Sequence, residues 1–153
     1  MPVRAIPDSY RRVTPYLIVG GVAGVIDFLK QTFDAEEVHP RMSRPDGAIM
    51  HAEVKIGDSI LMMGEPVGML PAMPGGFYVY VNDTDASYQR ALAAGATSVM
   101  APANQFYGDR NAGVKDQAGN IWWIATHQED VAPEELERRA AARAGAHSSA
   151  GAA

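Results

Sequence analysis

The sequence contains an internal repeat at a fixed offset of 62 residues. Tyr16 and Tyr78 are 62 residues apart (78 − 16 = 62), as are the turn residues Gly57 and Gly119 (119 − 57 = 62). The predicted order of elements, β-α-β-β-β, is also the same in both halves. Because each half alone is too small to bury a substantial core, the repeat predicts two βαβββ modules that form one domain.

Hydrophobic periodicity places the elements of the first half. A short apolar run at 13–19 predicts a buried strand. The next stretch repeats apolar side chains at the spacing of a helix with one buried face: Val22, Val25, Ile26, Leu29 and Phe33. Further strands are predicted at 36–42, 49–56 and 60–63. Gly57 and Asp58 form the predicted hairpin turn, which would pair Leu61 with Val54.

The second half repeats this order after a Gly- and Pro-rich linker at 64–76. Strands are predicted at 77–81, 97–101, 110–115 and 121–126, with a helix from Asp83 to Ala94. The predicted organisation is therefore a lead at 1–12, modules at 13–63 and 77–127, and a C-terminal segment at 128–153. That segment is expected to form a helix from Pro133 that stops at Gly145, followed by a disordered tail.

Composition excludes several functional classes. The chain has no cysteine, which excludes disulfides, thiolate zinc sites and thiol nucleophiles, and which fits a cytoplasmic location. Its net charge of −5 argues against binding a nucleic-acid backbone. The apolar run at 17–26 is too short to span a membrane, which takes about 20 residues.

The repeated βαβββ order and several short motifs resemble the glyoxalase/bleomycin-resistance (vicinal oxygen chelate) superfamily, and in particular its bacterial glyoxalase-like subgroup. The motifs lie at 14–17, 51–53, 78–83, 106–110, 119–122 and 125–127. The resemblance implies an α+β fold in which two modules form a curved mixed sheet with helices on its convex side. It also implies a homodimer, with an exposed sheet edge that a partner subunit would cover.

Metal-dependent members of that superfamily carry His or Glu ligands on the first and last strand of each module. Carried over by position, the four sites fall at Thr14, Leu61, Gly76 and Trp123. Divalent cations such as zinc need imidazole nitrogens or carboxylate oxygens, which these residues do not provide. The sequence therefore predicts that the protein uses neither a metal nor another cofactor.

Strand alternation then predicts a cavity lined by aromatic and apolar side chains. The predicted ligand-binding residues are Tyr16, Leu61, Met63, Tyr78, Tyr80, Tyr107 and Trp123. Such a surface suits a planar, partly apolar ligand held by stacking, although the same side chains could simply fill the space between the sheets.

His51, Glu53 and Tyr107 are the candidate catalytic residues, because a His-x-Glu pair can form an acid–base couple. If Leu61 faces the cavity, His51 and Glu53 lie on the opposite face of the sheet. Asp109 and Arg110 are expected to stabilise a tight loop, and His127 is expected to hydrogen-bond to the backbone or to a neighbouring strand.

The sequence is compatible with three functions. The first is a metal-free protein that binds a small aromatic ligand. The second is an enzyme of the lyase, isomerase or transferase type with an unusual acid–base site. The third is a partner-binding module with a vestigial pocket.

Overall fold

The protein is described by a computed structural model that covers the backbone of residues 2–150 and the side chains of residues 2–146. The first module contains β1 (Tyr16–Ile18), α1 (Val22–Phe33), β2 (Glu36–Glu37), β3 (Met42–Ser43), β4 (Ile49–Ile56) and β5 (Ser59–Gly64). The second contains β6 (Gly76–Tyr80), α2 (Thr84–Ala93), β7 (Thr97–Asn104), β8 (Asp109–Lys115) and β9 (Ile121–His127). The helix α3 (Pro133–Ala150) follows.

Each module builds its own mixed sheet. The strand order is β1-β5-β4-β2 in the first, where β3 also pairs with β4, and β6-β9-β8-β7 in the second. In both sheets the first strand of the module pairs in parallel with the last, and the other pairings are antiparallel. The predicted α+β fold of two βαβββ modules is confirmed. No ladder among the described residues joins the two sheets into one.

One hydrophobic core serves both modules. The predicted apolar stripe of α1 is buried. Phe28 and Phe33 on this helix also contact Trp122 of β9, with ring centroids 6.2 and 6.0 Å apart. Because Trp122 belongs to the second module, α1 ties the two halves together.

Local capping explains where α2 begins and where α1 ends. The Asp83 side chain accepts a hydrogen bond from the Ala86 backbone N–H, which caps α2 as expected for an aspartate at this position. Asp34 adopts a left-handed conformation (φ 54°) that ends α1. None of the helices in the described part of the chain is long and apolar enough to cross a bilayer.

Several boundaries differ from the sequence prediction, including the end of β7, which extends to Asn104 rather than to residue 101. The first strand begins at Tyr16 rather than at residue 13, and the strand expected at 36–42 is divided into β2 and β3. The predicted end of the last helix at Gly145 is wrong, since α3 continues to Ala150. A glycine inside a helix costs only about 1 kcal/mol, and alanine neighbours offset that cost. Of the tail predicted to be disordered, residues 151–153 lie outside the described residues.

Candidate functional site

Strand alternation gives each sheet a core face, which packs on the helices, and an opposite face, here called the open face. On β5, Leu61 and Met63 pair with Val54 and Ala52 and are buried in the core. The prediction that Leu61 and Met63 share a sheet face with Tyr16 is therefore wrong. The pairing of Leu61 with Val54 is confirmed.

The error arises because the repeat offset is not uniform. Tyr16 pairs with Met62, whereas the equivalent Tyr78 pairs with Trp123. Trp123 therefore corresponds to Met62, an offset of 61 (123 − 62 = 61). On β4 and β8, Glu53 pairs with Met62 and Gly113 with Trp123, so the offset there is 60 (113 − 53 = 60).

The open face of the second module is organised around a buried carboxylate, Asp109. Its Oδ2 accepts hydrogen bonds from the hydroxyls of Tyr78 (2.6 Å) and Tyr80 (3.1 Å). Its Oδ1 lies 2.8 Å from Nδ1 of His127, the residue opposite it on β9. The two tyrosine rings are 5.3 Å apart in an edge-on arrangement and remain exposed, at 42% for Tyr78 and 63% for Tyr80.

A buried amide extends this network. The Asn111 side-chain N–H₂ donates to the hydroxyls of Tyr107 (2.7 Å) and Tyr78 (3.1 Å). Trp123 lies on the same face and its ring packs directly on Gly113, where an added Cβ would come within 2.5 Å of the ring. Tyr78, Tyr80, Tyr107 and Trp123 therefore belong to one surface. Tyr16, which was predicted to line the same surface, contacts His51 of the first module instead.

The titration behaviour of this network follows from its contacts. Burial and the hydrogen bond to Asp109 raise the pKa of Tyr78, and the same two causes raise that of Tyr80. Burial opposes ionisation of Asp109, but hydrogen bonds from Tyr78, His127 and Tyr80 outweigh it and lower its pKa. Hydrogen bonds to Asp109 and Asp130 raise the pKa of His127, which favours an imidazolium between two carboxylates.

The open face of the first module carries a different chain of polar contacts. The Tyr16 hydroxyl lies 3.2 Å from His51 Nδ1, and His51 Nε2 lies 2.9 Å from Glu53 Oε2. His51 and Glu53 lie on the face opposite Leu61, as predicted. Tyr16 lies on the same face as His51 and Glu53 rather than on that of Leu61, because it pairs with Met62. The Tyr10 hydroxyl donates to the other Glu53 oxygen, Oε1, and also lies 3.3 Å from His39 Nε2.

Glu53 is almost buried, with 10% of its side chain exposed. Burial opposes its ionisation, yet hydrogen bonds from Tyr10 and His51 lower its pKa. The hydrogen bond to Glu53 raises the pKa of Tyr10. Among the described residues, no hydrogen bond or ring contact joins this group to the aromatic group of the second module.

A half-open cavity of about 900 Å³ lies between the modules, next to the unpaired edge of β6. Its lining combines the β4–β5 hairpin with β6 and α2, and includes Thr14, Leu61, Tyr78, Tyr80 and Arg90. Tyr78 and Tyr80 thus contribute both to the open face and to this cavity. The volume lies within the range of small-molecule sites, which is about 300–1,000 Å³.

Comparison of the sequence with known protein families identifies the family of this chain. A sequence model of the glyoxalase/bleomycin resistance protein/dioxygenase superfamily matches residues 11–124. The chain belongs to this superfamily.

The chain is also similar to a mycobacterial relative in sequence and to two solved structures in fold. An uncharacterized protein of Mycobacterium tuberculosis H37Rv is 35% identical over 136 residues, which cover 82% of this chain and 79% of the relative. TioX from Micromonospora sp. ML1 has a TM-score of 0.63 at 24% identity, covering 76% of this chain and 98% of its own. TnmS3, an antibiotic binding protein from Streptomyces sp. CB03234, has a TM-score of 0.59 at 19% identity, covering 84% and 99%.

The residues at the superfamily's metal positions do not fit a divalent metal. Thr14, Gly76 and Trp123 offer no imidazole or carboxylate, and neither Leu61 nor its open-face neighbour Met62 does. Within residues 2–146, no group of three or more His, Asp or Glu side chains is arranged to hold a metal ion.

Sequence reasoning missed several members of both groups. Tyr10 and His39 had no periodic signal, and their partner Glu53 is distant in sequence. Asp109 and Arg110 were expected to stabilise a tight loop. Instead, alternation turns Arg110 to the other face of the strand from Asp109, and Arg110 forms an ion pair with Asp85 at 2.7 Å. In the second module, one sequence feature could have predicted the network. It is the alternation of Asp109, Asn111 and Gly113 along a single strand.

Proposed function

We propose that the protein binds a small planar aromatic ligand where Tyr78 and Tyr80 meet the cavity between the modules. The observation that carries this proposal is that one buried carboxylate, Asp109, accepts hydrogen bonds from both exposed tyrosines. The rings are therefore held in place before a ligand arrives, which lowers the entropy lost on binding. Tyr107 and Trp123 extend the same surface.

The chemistry of the surface indicates the ligand class. Aromatic rings that are exposed and fixed favour stacking with another flat ring system, and their faces also attract cations. The net charge of −5 favours a neutral or cationic ligand over an anionic one. TnmS3 is described as an antibiotic binding protein, so a protein of similar fold binds an antibiotic.

A binding screen with matched variants tests the proposal. The probes are proflavine, a planar cation, and 2-methoxynaphthalene, a neutral planar compound without an O–H donor, measured by fluorescence titration. We expect Tyr80→Ala to weaken at least one probe about ten-fold, the equivalent of about 1.4 kcal/mol. Tyr16→Ala, which removes a comparably exposed tyrosine from the first module, should leave the affinity unchanged. Failure of all planar aromatic probes would favour the partner-binding alternative.

An enzymatic function is the second candidate, and the Tyr16–His51–Glu53 chain is the observation that favours it. A carboxylate bonded to one imidazole nitrogen orients the other nitrogen for proton transfer, here toward the Tyr16 hydroxyl. This geometry suits an acid–base reaction of the lyase or isomerase type. Turnover of a substrate that is abolished by His51→Gln and unaffected by Tyr80→Ala would establish this function instead.

We also propose that the protein forms a homodimer in the cytoplasm. β6 has no partner on its outer edge among the described strands, and exposed edges favour pairing with another chain. Light scattering at micromolar concentration should give twice the 16.4 kDa mass of the chain, and a monomer would contradict this proposal. Cell fractionation tests the location.

A further inference from the structure

The N-terminal lead, residues 2–12, contacts the open face of the first module through one aromatic side chain. The Tyr10 hydroxyl donates to Glu53 Oε1 and lies 3.3 Å from His39 Nε2. The other carboxylate oxygen of Glu53 is bonded to His51, so Tyr10 supplies the donor that the buried carboxylate otherwise lacks. A phenol therefore already occupies a polar subsite on this face.

Little else holds the lead in place. Arg4 pairs with Asp8 inside the lead itself, and the Tyr10 backbone N–H bonds to Pro7 within the same turn. The Arg11–Asp58 ion pair spans 3.6 Å between two side chains that are 71% and 83% exposed. Such exposed pairs contribute little to stability. Tyr10 is thus the main side-chain link between the lead and the sheet.

A cavity adjoins the Tyr10 ring. Its volume is about 550 Å³, and its lining comes mostly from the lead itself, including Ile6 and Pro7, with His39 and Met62 contributed by the first module. If the lead moved away, Glu53 would present a carboxylate oxygen without its phenol donor, beside the His51 imidazole and the Met62 thioether. That combination recognises an aromatic ring that carries an O–H donor.

We propose that the first module contains a second ligand site, specific for hydroxyaryl compounds, and that Tyr10 occupies it as an intramolecular ligand. The site is distinct from the surface formed by Tyr78 and Tyr80. A free phenol binds by displacing Tyr10, so ligand binding releases the lead. The tethered Tyr10 competes with the free ligand at a high local concentration and weakens its apparent affinity.

The test uses p-cresol, the side-chain analogue of tyrosine, and 4-methylanisole, which has a similar ring but no O–H donor. Binding is followed by NMR of ¹⁵N-labelled histidine in the full-length protein. His39 and His51 report on the first module, and His127 reports on the second. The proteins compared are wild type, Tyr10→Gly, and Tyr10→Gly combined with Glu53→Gln.

We expect p-cresol to shift the His39 and His51 signals and to bind Tyr10→Gly about ten-fold more tightly than wild type. This follows if the site is open about one tenth of the time in wild type. Adding Glu53→Gln should weaken p-cresol binding, and 4-methylanisole should bind poorly to every variant. Equal affinity of p-cresol for wild type and Tyr10→Gly would overturn the proposal.

Two further results would also overturn this proposal without affecting the proposed function. The first is equal binding of p-cresol and 4-methylanisole, since it would show that Glu53 does not select the hydroxyl. The second is a response of His127 alone, which would place the phenol in the second module. If Tyr10→Gly does not fold, Tyr10→Phe retains the ring without its hydroxyl and should show a smaller gain in p-cresol affinity.

Discussion

Tyr16 in the first module and Tyr78 in the second occupy equivalent strand positions, and each hydroxyl contacts the equivalent residue two strands away. That residue is His51 in the first module, at 3.2 Å, and Asn111 in the second, at 3.1 Å. The backbone repeat has therefore preserved the geometry of this contact while its chemistry has changed. The first module carries a titratable imidazole where the second carries a neutral amide.

The modules differ most in the strand position of their open-face carboxylate, which is Glu53 in the first module and Asp109 in the second. Glu53 in the first module corresponds to Gly113 in the second, and Met62 corresponds to Trp123. The absence of a side chain at Gly113 allows the Trp123 ring to lie against the strand. The second module places its carboxylate at Asp109 instead, four residues earlier on the same strand. This difference produces an aromatic surface in one module and a polar chain in the other.

The first test of this comparison contrasts the two faces of β9, and we expect it to show the largest effect. Trp122 is fully buried and stacks on Phe77 with ring centroids 4.6 Å apart, so Trp122→Ala should lower the free energy of unfolding by about 3–5 kcal/mol. Trp123→Ala removes a partly exposed ring and should cost less than half as much. Urea denaturation measures both, and equal losses would contradict the assignment of Trp123 to the open face.

The second test contrasts the two carboxylates. Asp109→Ala should lower the free energy of unfolding by about 2–3 kcal/mol, because it leaves two tyrosine hydroxyls and His127 without their acceptor. Glu53→Ala removes the acceptor of only Tyr10 and His51, so we expect about 1–2 kcal/mol. A larger loss for Glu53→Ala in the same denaturation experiment would reverse this ranking.

The third test concerns the glycine that permits the aromatic surface. Gly113→Ala places a Cβ 2.5 Å from the Trp123 ring, so the ring must move, at a cost of about 1–2 kcal/mol. Gly76→Ala is the matched control on β6, since nothing lies within 4 Å of its added Cβ. Proflavine affinity should fall for Gly113→Ala only. An equal change in proflavine affinity for the two variants would show that the position of the Trp123 ring does not affect ligand binding.

The fourth test is a difference in pH dependence, and it should be the smallest effect. The pKa of His127 is raised above 6.5, so its stabilising contribution is complete below about pH 6.5 and is lost as the pH rises through the raised value. The gap in unfolding free energy between wild type and His127→Gln should therefore be larger at pH 5.5 than at pH 8.5. An equal gap at both pH values would exclude a charged His127 in the folded protein.

The success and failure of sequence reasoning have a common physical origin. The helical stripe of α1, the hairpin at Gly57 and the repeat were predictable because they depend on local spacing. The residues on the open face of the first module were not predictable, because the parallel pairing of Tyr16 with Met62 joins strands far apart in sequence. A shift of one residue in that pairing exchanges the two faces of a strand.

The one-residue difference in register between the modules was not visible in the sequence, because the second module has a longer turn. Five residues, 116–120, connect β8 to β9, whereas two residues connect β4 to β5. The glycines aligned at an offset of 62, but the strands beside them did not. For this reason Tyr78, Tyr80 and Trp123 were placed together correctly, while Leu61 and Met63 were assigned to the wrong face of the first sheet.

We propose that the modules have diverged so that Tyr78 and Tyr80 of the second module form the aromatic ligand site. The most direct measurement is the proflavine dissociation constant of Tyr80→Ala beside that of Tyr16→Ala, with folding of both confirmed by denaturation. We expect the dissociation constant to rise about ten-fold for Tyr80→Ala and to stay unchanged for Tyr16→Ala. An increase for Tyr16→Ala with none for Tyr80→Ala would contradict this proposal and place the site in the first module.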